Sequence, residues 1–241
     1  KEGGGAVFLS AITSVQVTGS TFVDNQAIPT PRLLAAEMTD GSTEDETMLG
    51  YGGAIFVAKA GLSKQSSVTV EGSTFGGSNA LFGGAIAESC SEYDGCPKME
   101  IKGATSFDGN TARYAGAGVY FVTLQPIIDA GTVAFANNAL GWADSGWGEE
   151  VASGAWTLEL SETIVNLRSG RPADNDIVAT LLDYSGATVS AGPGSRSTLV
   201  TEATFGPGDD PEGVSISSSG SMALVNGTLA LPVSVLGPAG A

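Results

Sequence analysis

The chain has 241 residues, with 26 acidic against 10 basic side chains, a net charge of −16, 35 Gly and no His. That balance argues against nucleic acid or anionic lipid as a partner, since both need a basic footprint. The lack of His removes Ser-His-Asp and Cys-His catalysis and His-based metal sites. High Gly and few aromatics suit a turn-dense β protein. No apolar run is long enough to span a bilayer and no signal peptide stands at the start, Lys1. The chain reads as an interior piece of a longer protein.

Gly4-Gly5-Ala6-Val7-Phe8 opens the first unit; Val15, Val17 and Phe22 mark its strand and aromatic anchor, and Asn25 its turn. A second corner, Gly52-Gly53-Ala54-Ile55-Phe56, leads to Val68, Val70, Phe75 and Asn79. Between them, residues 26–51 hold an insertion with Pro29, Pro31, Glu37, Asp40, Glu44, Asp45 and Glu46. It reads as a solvated loop at one corner of a coil. A calcium-dependent contact surface through Glu44, Asp45 and Glu46 is the alternative, although these acids lack the spacing and Gly of a dedicated calcium loop. Calcium is thus the only cofactor the sequence leaves open.

The third unit runs from Gly83-Gly84-Ala85-Ile86 to Met99, Ile101, Phe107 and Asn110. Inside it, Cys90 and Cys96 enclose a short loop. In an extracellular setting the pair reads as a disulfide worth about 2–3 kcal/mol, mostly by stiffening the loop. Two Cys without His do not make a structural zinc site. A fourth, looser unit has Gly116-Ala117-Gly118-Val119-Tyr120, Phe135 and Asn138.

One such unit has too little apolar surface to fold alone, but parallel stacking buries its inward row against the next. The expected rows are Val17, Val70, Ile101; Phe22, Phe75, Phe107, Phe135; and Asn25, Asn79, Asn110, Asn138 at a turn. Outward rows are polar and mixed, with Glu71 beside Lys102 as an exposed ion pair of little energetic consequence. The fold class is all-β, a right-handed parallel β-helix over 1–154.

The alternating Gly-Gly-Ala-Ile and Phe-x-x-Asn motifs resemble the repeats of the chlamydial polymorphic outer-membrane proteins, repeats also found in large secreted or surface proteins of algae and protists. Gly4–Val7, Gly52–Ile55 and Gly83–Ile86 carry the likeness, with Phe22–Asn25, Phe107–Asn110 and Phe135–Asn138. Phe75–Asn79 departs by one extra residue and Gly116–Val119 by its order. The resemblance implies a surface-displayed or extracellular β-helix used for adhesion or as a spacer.

Past Gly141 the grammar fades, and Trp142, Trp147 and Trp156 gather where the stack should be capped; a sugar-stacking platform is their sharper reading. From there Thr157–Leu160, Ile164–Leu167, Ile177–Leu182, Thr198–Phe205 and Val214–Ser217 alternate as separate strands. Met222–Val225 and Thr228–Val235 flank Asn226-Gly227, a strong hairpin signal. Asp183-Tyr184-Ser185-Gly186 with Val225-Asn226-Gly227-Thr228 resembles bacterial-type immunoglobulin-like modules. The expectation for 155–241 is therefore a small antiparallel immunoglobulin-like sandwich, truncated at its C-terminal end. Asn226 is also the only glycosylation sequon.

Together these features point to a non-catalytic extracellular structural or adhesion segment. Its expected partners are other protein subunits, cell-surface glycans, or further copies stacked end to end. The alternative is a polysaccharide-binding or polysaccharide-cleaving β-helix, for which Asp108 with Arg113 is the best acid–base pair on offer. Ice or mineral binding would need a regular Thr row, which the mixed outward rows do not supply.

Overall fold

The computed structural model describes residues 5–12, 14–27, 50–60, 66–90, 96–141, 146–161, 177–190, 198–201, 215–216, 220–225, 227–231 and 235–236. Among these every regular element is a strand. The chain divides into two compact units, Lys1–Gly154 and Ala155–Ala241.

The first unit has four parallel sheets. One holds β1 (Val7–Ile12), β5 (Ile55–Ala60), β9 (Ile86–Glu88), β13 (Val119–Phe121) and β17 (Val151–Ser153), in that order across the sheet. The second stacks β2 (Ser14–Thr18), β6 (Ser67–Glu71), β10 (Lys98–Lys102) and β14 (Ile127–Ile128). The third stacks β3 (Thr21–Val23), β7 (Thr74–Gly76), β11 (Ser106–Asp108) and β15 (Ala134–Ala136). The fourth has β4 (Gln26–Ala27), β8 (Asn79–Phe82), β12 (Thr111–Ala115) and β16 (Ala139–Leu140). The chain visits the sheets in the same sequence on every pass, an arrangement that fits a β-helix.

Like stands over like along the stack. Phe22, Phe75, Phe107 and Phe135 pair in register, their rings nearly parallel with centroids 4.9, 5.0 and 4.9 Å apart. That spacing is the inter-strand distance of a sheet, so the backbone ladder itself sets the ring stack. Val17, Val70, Ile101 and Ile128 form a second inward row. The middle passes are sealed and the outer ones half-open: Phe75 and Phe107 are fully buried, Phe22 and Phe135 only in part.

Two glycines per corner do different work. Gly52, Gly83, Gly116 and Gly148 adopt φ of 61, 63, 60 and 59°, the left-handed region. The next residue lies against the following pass: a Cβ on Gly53 would sit 2.0 Å from the Gly84 carbonyl oxygen, and one on Gly84 2.3 Å from that of Ala117. Only glycine fits there. Gly148 marks a fifth corner, Gly148-Glu149-Glu150-Val151, which leads into β17. The stack therefore continues through the region where the sequence grammar fades: the last two corners keep the glycine that the left-handed backbone requires, with Ala117 and Glu149 at the second position.

The asparagine row differs from expectation at one rung. Asn79 lies opposite Gln26 and Thr111, and Ser78 takes the place beside Asn110. The backbone keeps Phe75 over Phe107, so three residues after it, not four, reach the turn. There Asn138 donates from Nδ2 to the Phe107 carbonyl (3.0 Å) and accepts from the Asn110 N–H at Oδ1 (3.1 Å). Asn110 repeats this one pass earlier, donating to the Phe75 carbonyl (3.0 Å) and accepting from the Ser78 N–H (3.0 Å). Ser78 is too short to continue, and its buried hydroxyl has no hydrogen-bond partner. The exposed ion pair also shifts: Lys102 meets Glu100, two residues back on its own strand, at 2.9 Å instead of Glu71.

A further apolar cluster lies on the other face of the first sheet. Tyr51, Phe56, Phe82 and Tyr120 contact one another through their rings, and Trp147 meets Phe82 edge-on. Trp147 is buried and its indole N–H donates to the Ser153 carbonyl at 2.9 Å.

In the second unit, β18 (Thr157–Leu160), β19 (Ile177–Leu182) and β23 (Thr228–Leu231) form an antiparallel sheet. Two further antiparallel pairs join β20 (Thr198–Thr201) to β22 (Gly220–Ala223) and β21 (Ser215–Ile216) to β24 (Val235–Leu236). Val225 and Thr228 exchange backbone hydrogen bonds of 2.9 and 3.1 Å across the expected turn. Its flanking strands do not pair beyond it, however: β22 and β23 belong to different sheets. Asp183 is buried, and its Oδ1 accepts from the Ser185 N–H, the Ser185 hydroxyl and the Ala187 N–H. These bonds close the Tyr184-Ser185-Gly186 turn.

Candidate functional site

Strand β9 follows directly from the Gly83-Gly84 corner. Side chains alternate along it, so Ile86 joins Ile55 and Val119 in the interior, Ala87 turns away, and Glu88 returns to the interior phase. Its register partners there are Val57 and Phe121, both fully buried. A carboxylate thus sits between two apolar side chains, with 0% exposure, in a row that ends at buried Ser153.

Glu88 is only half satisfied. Its Oε2 accepts from the backbone N–H groups of Val122 (3.1 Å) and Thr123 (3.2 Å) just beyond β13. Its Oε1 has no hydrogen-bond partner. An ion pair lies elsewhere, between Lys102 and Glu100.

Cys90 and Cys96 complete the cluster. Both are buried, and no S–S bond joins them here. Their sulfurs and a Glu88 carboxylate oxygen all lie within 4.8 Å of one another. The Thr123 hydroxyl donates to the Cys90 carbonyl at 2.6 Å, pinning the cluster to the strand end that holds Glu88. Burial pushes the Cys90 thiol well up, and the Glu88 carboxylate adds to the effect. Cys96 is also raised, by burial first, with a hydrogen bond from Cys90 working the other way. A carboxylate in a dry pocket favours protonated sulfurs that can face it.

No signal in the sequence reading singled out Glu88. The pattern to look for was Ile86-Ala87-Glu88 set against Ile55-Phe56-Val57 and Val119-Tyr120-Phe121, where an acid falls on the inward phase. Other expected sites fare differently. Asp108 accepts from Asn137 Nδ2 at 2.8 Å, and the Arg113 guanidinium lies 5.4 Å from the Tyr114 ring centre. Buried Trp147 offers no sugar-stacking face; Trp142 lies outside the described residues, and Trp156 belongs to the second unit. Glu44, Asp45, Glu46 and Asn226 also lie outside the described residues.

In comparisons with known proteins, no family model, no curated protein and no solved structure matches this chain.

Proposed function

We propose that this chain is a non-catalytic, extracellular segment of a larger surface or secreted protein. In this reading, a right-handed parallel β-helix of the repeat type found in chlamydial polymorphic outer-membrane proteins is followed by an immunoglobulin-like module. The helix acts as a stiff spacer whose corner loops present contact surfaces to other subunits or to glycans. The observation that carries this is the in-register column of Phe22, Phe75, Phe107 and Phe135. Identical side chains at each pass give a unit that can be repeated indefinitely, each pass adding about 4.8 Å. Such a construction suits length and stiffness. A parallel stack of this kind also offers strand edges onto which further passes or another copy can pair.

The test is to offer the purified chain a panel of acidic and neutral polysaccharides and, separately, to couple it to beads and measure their retention on cell surfaces. The expected result is retention above uncoated beads and no new sugar chain ends. Cleavage of any glycan would replace this reading with the enzymatic alternative.

A further inference from the structure

We infer that, with Glu88 as a third donor that the sequence expectation for two Cys without His did not include, Glu88, Cys90 and Cys96 form a binding site for a soft divalent cation of the zinc class, held by two thiolates and one carboxylate. The inference does not depend on the spacer reading. It starts from a cost: a carboxylate oxygen buried without a partner between apolar side chains is among the most unfavourable placements available to a side chain. Glu88 Oε1 is such an atom. Two sulfurs stand beside the same side chain: both and a Glu88 carboxylate oxygen lie within 4.8 Å of one another.

A disulfide would resolve the sulfurs and worsen the carboxylate. Joining Cys90 to Cys96 removes both S–H groups and brings Oε1 no partner in exchange. A divalent cation satisfies all three groups together. As it binds, two metal–sulfur bonds and one metal–oxygen bond form, and the two thiol protons pass to solvent. Two thiolates, a carboxylate and a dication leave one net negative charge in place of an unpaired buried carboxylate.

The donor set also selects the ion. Calcium and magnesium take oxygen ligands, whereas thiolates favour zinc and its relatives. Zinc–sulfur bonds of about 2.3 Å place two tetrahedral sulfurs roughly 3.8 Å apart, so the cluster needs to contract by only about an ångström. The orientation is prepared as well. Val122 and Thr123 hold Oε2 through their N–H groups and leave Oε1 as the ligating atom, the kind of outer support that metal ligands need. Solvent or a further ligand completes the four-coordinate shell.

The full chain, purified under reductant and stripped with chelator, is titrated with Co²⁺ by absorption and with Zn²⁺ by calorimetry. One ion per chain is expected, with a sulfur-to-cobalt charge-transfer band that Zn²⁺ abolishes. Cys96→Ser should weaken Zn²⁺ binding by about a hundredfold and diminish the band, and Glu88→Gln should weaken it by about tenfold while the band persists. Cys96→Ser keeps both backbone bonds to the carboxylate, so it carries the test even if Glu88→Gln does not fold. The proposal is overturned by a missing sulfur band, by equal Zn²⁺ affinity in wild type and Cys96→Ser, or by a Cys90–Cys96 disulfide that forms without reductant despite saturating Zn²⁺.

Discussion

At the scale of single residues, position along the stack decides how much a side chain matters. Phe107 is flanked by a ring on each side, Phe22 by one only. Phe107→Ala should cost about 3–5 kcal/mol, with Phe22→Ala costing clearly less, as read by urea midpoints. The turn row offers a test in both directions. Asn110→Ala strips a donor from the Phe75 carbonyl and an acceptor from the Ser78 N–H, and should cost roughly 2–3 kcal/mol. Ser78→Asn should raise stability by about 1 kcal/mol, since the longer amide would reach back to the first pass as Asn110 and Asn138 do to theirs. A fall in melting temperature for Ser78→Asn would show that this rung has no room for an amide.

At the scale of elements, the corners and turns separate two reasons for glycine. Gly84→Ala drives a Cβ into the Ala117 carbonyl and should prevent correct stacking of β9 on β13, visible as lost soluble expression or a collapsed melting temperature. Gly109 has φ of 65° but open space around its Cβ position. Gly109→Ala should therefore cost only the left-handed penalty of about 1–2 kcal/mol. Equal damage from the two would contradict the close approach at the corner. The same view explains the hidden fifth pass: Gly148 satisfies the φ requirement, while Glu149, like Ala117 one pass earlier, holds the second position without a glycine. A hydroxyl row is another element-level device. The Ser20 N–H donates to Ser73 Oγ at 3.2 Å and the Ser73 N–H to Thr105 Oγ1 at 3.4 Å, linking passes at the turn before each Phe. Its trace in the sequence is the repeated Gly-Ser-Thr-Phe at 19–22 and 72–75.

At the scale of the whole molecule, the first unit has apolar clusters on both faces of one sheet, and the outer one carries a titratable reporter. Burial among Phe56, Phe82 and Tyr120 pushes the Tyr51 hydroxyl from 10.0 up to about 12. The folded state therefore holds this proton more tightly than the unfolded state. Tyr51's contribution is fully present below pH 10 and falls away as the pH rises toward 12. Urea midpoints followed across that window should drop for the wild type more steeply than for Tyr51→Phe, which keeps the ring and removes the proton. Parallel slopes would mean that the hydroxyl reaches water. The acidic surface belongs to this scale too: it disfavours basic-footprint partners and is compatible with cation binding, but does not say where a cation would sit.

What the sequence determined by itself was periodic: which residues recur, that Phe lies over Phe, and that small corners alternate with aromatic anchors. Those features follow from chemistry local to each pass, so they are written into the chain wherever a pass occurs. Register and convergence were decided only in three dimensions. Backbone pairing, not motif spelling, put Ser78 in place of Asn79 and sent the two arms of the Val225–Thr228 turn to different sheets, while Lys102, set opposite Glu71 by the register, turned to Glu100 on its own strand. The meeting of Glu88 with Cys90 and Cys96 likewise required the alternation of β9, the end of β13 and the return of the chain at Cys96 to coincide. No single stretch encodes that coincidence, because the energy of a buried carboxylate depends on what the neighbouring passes place around it.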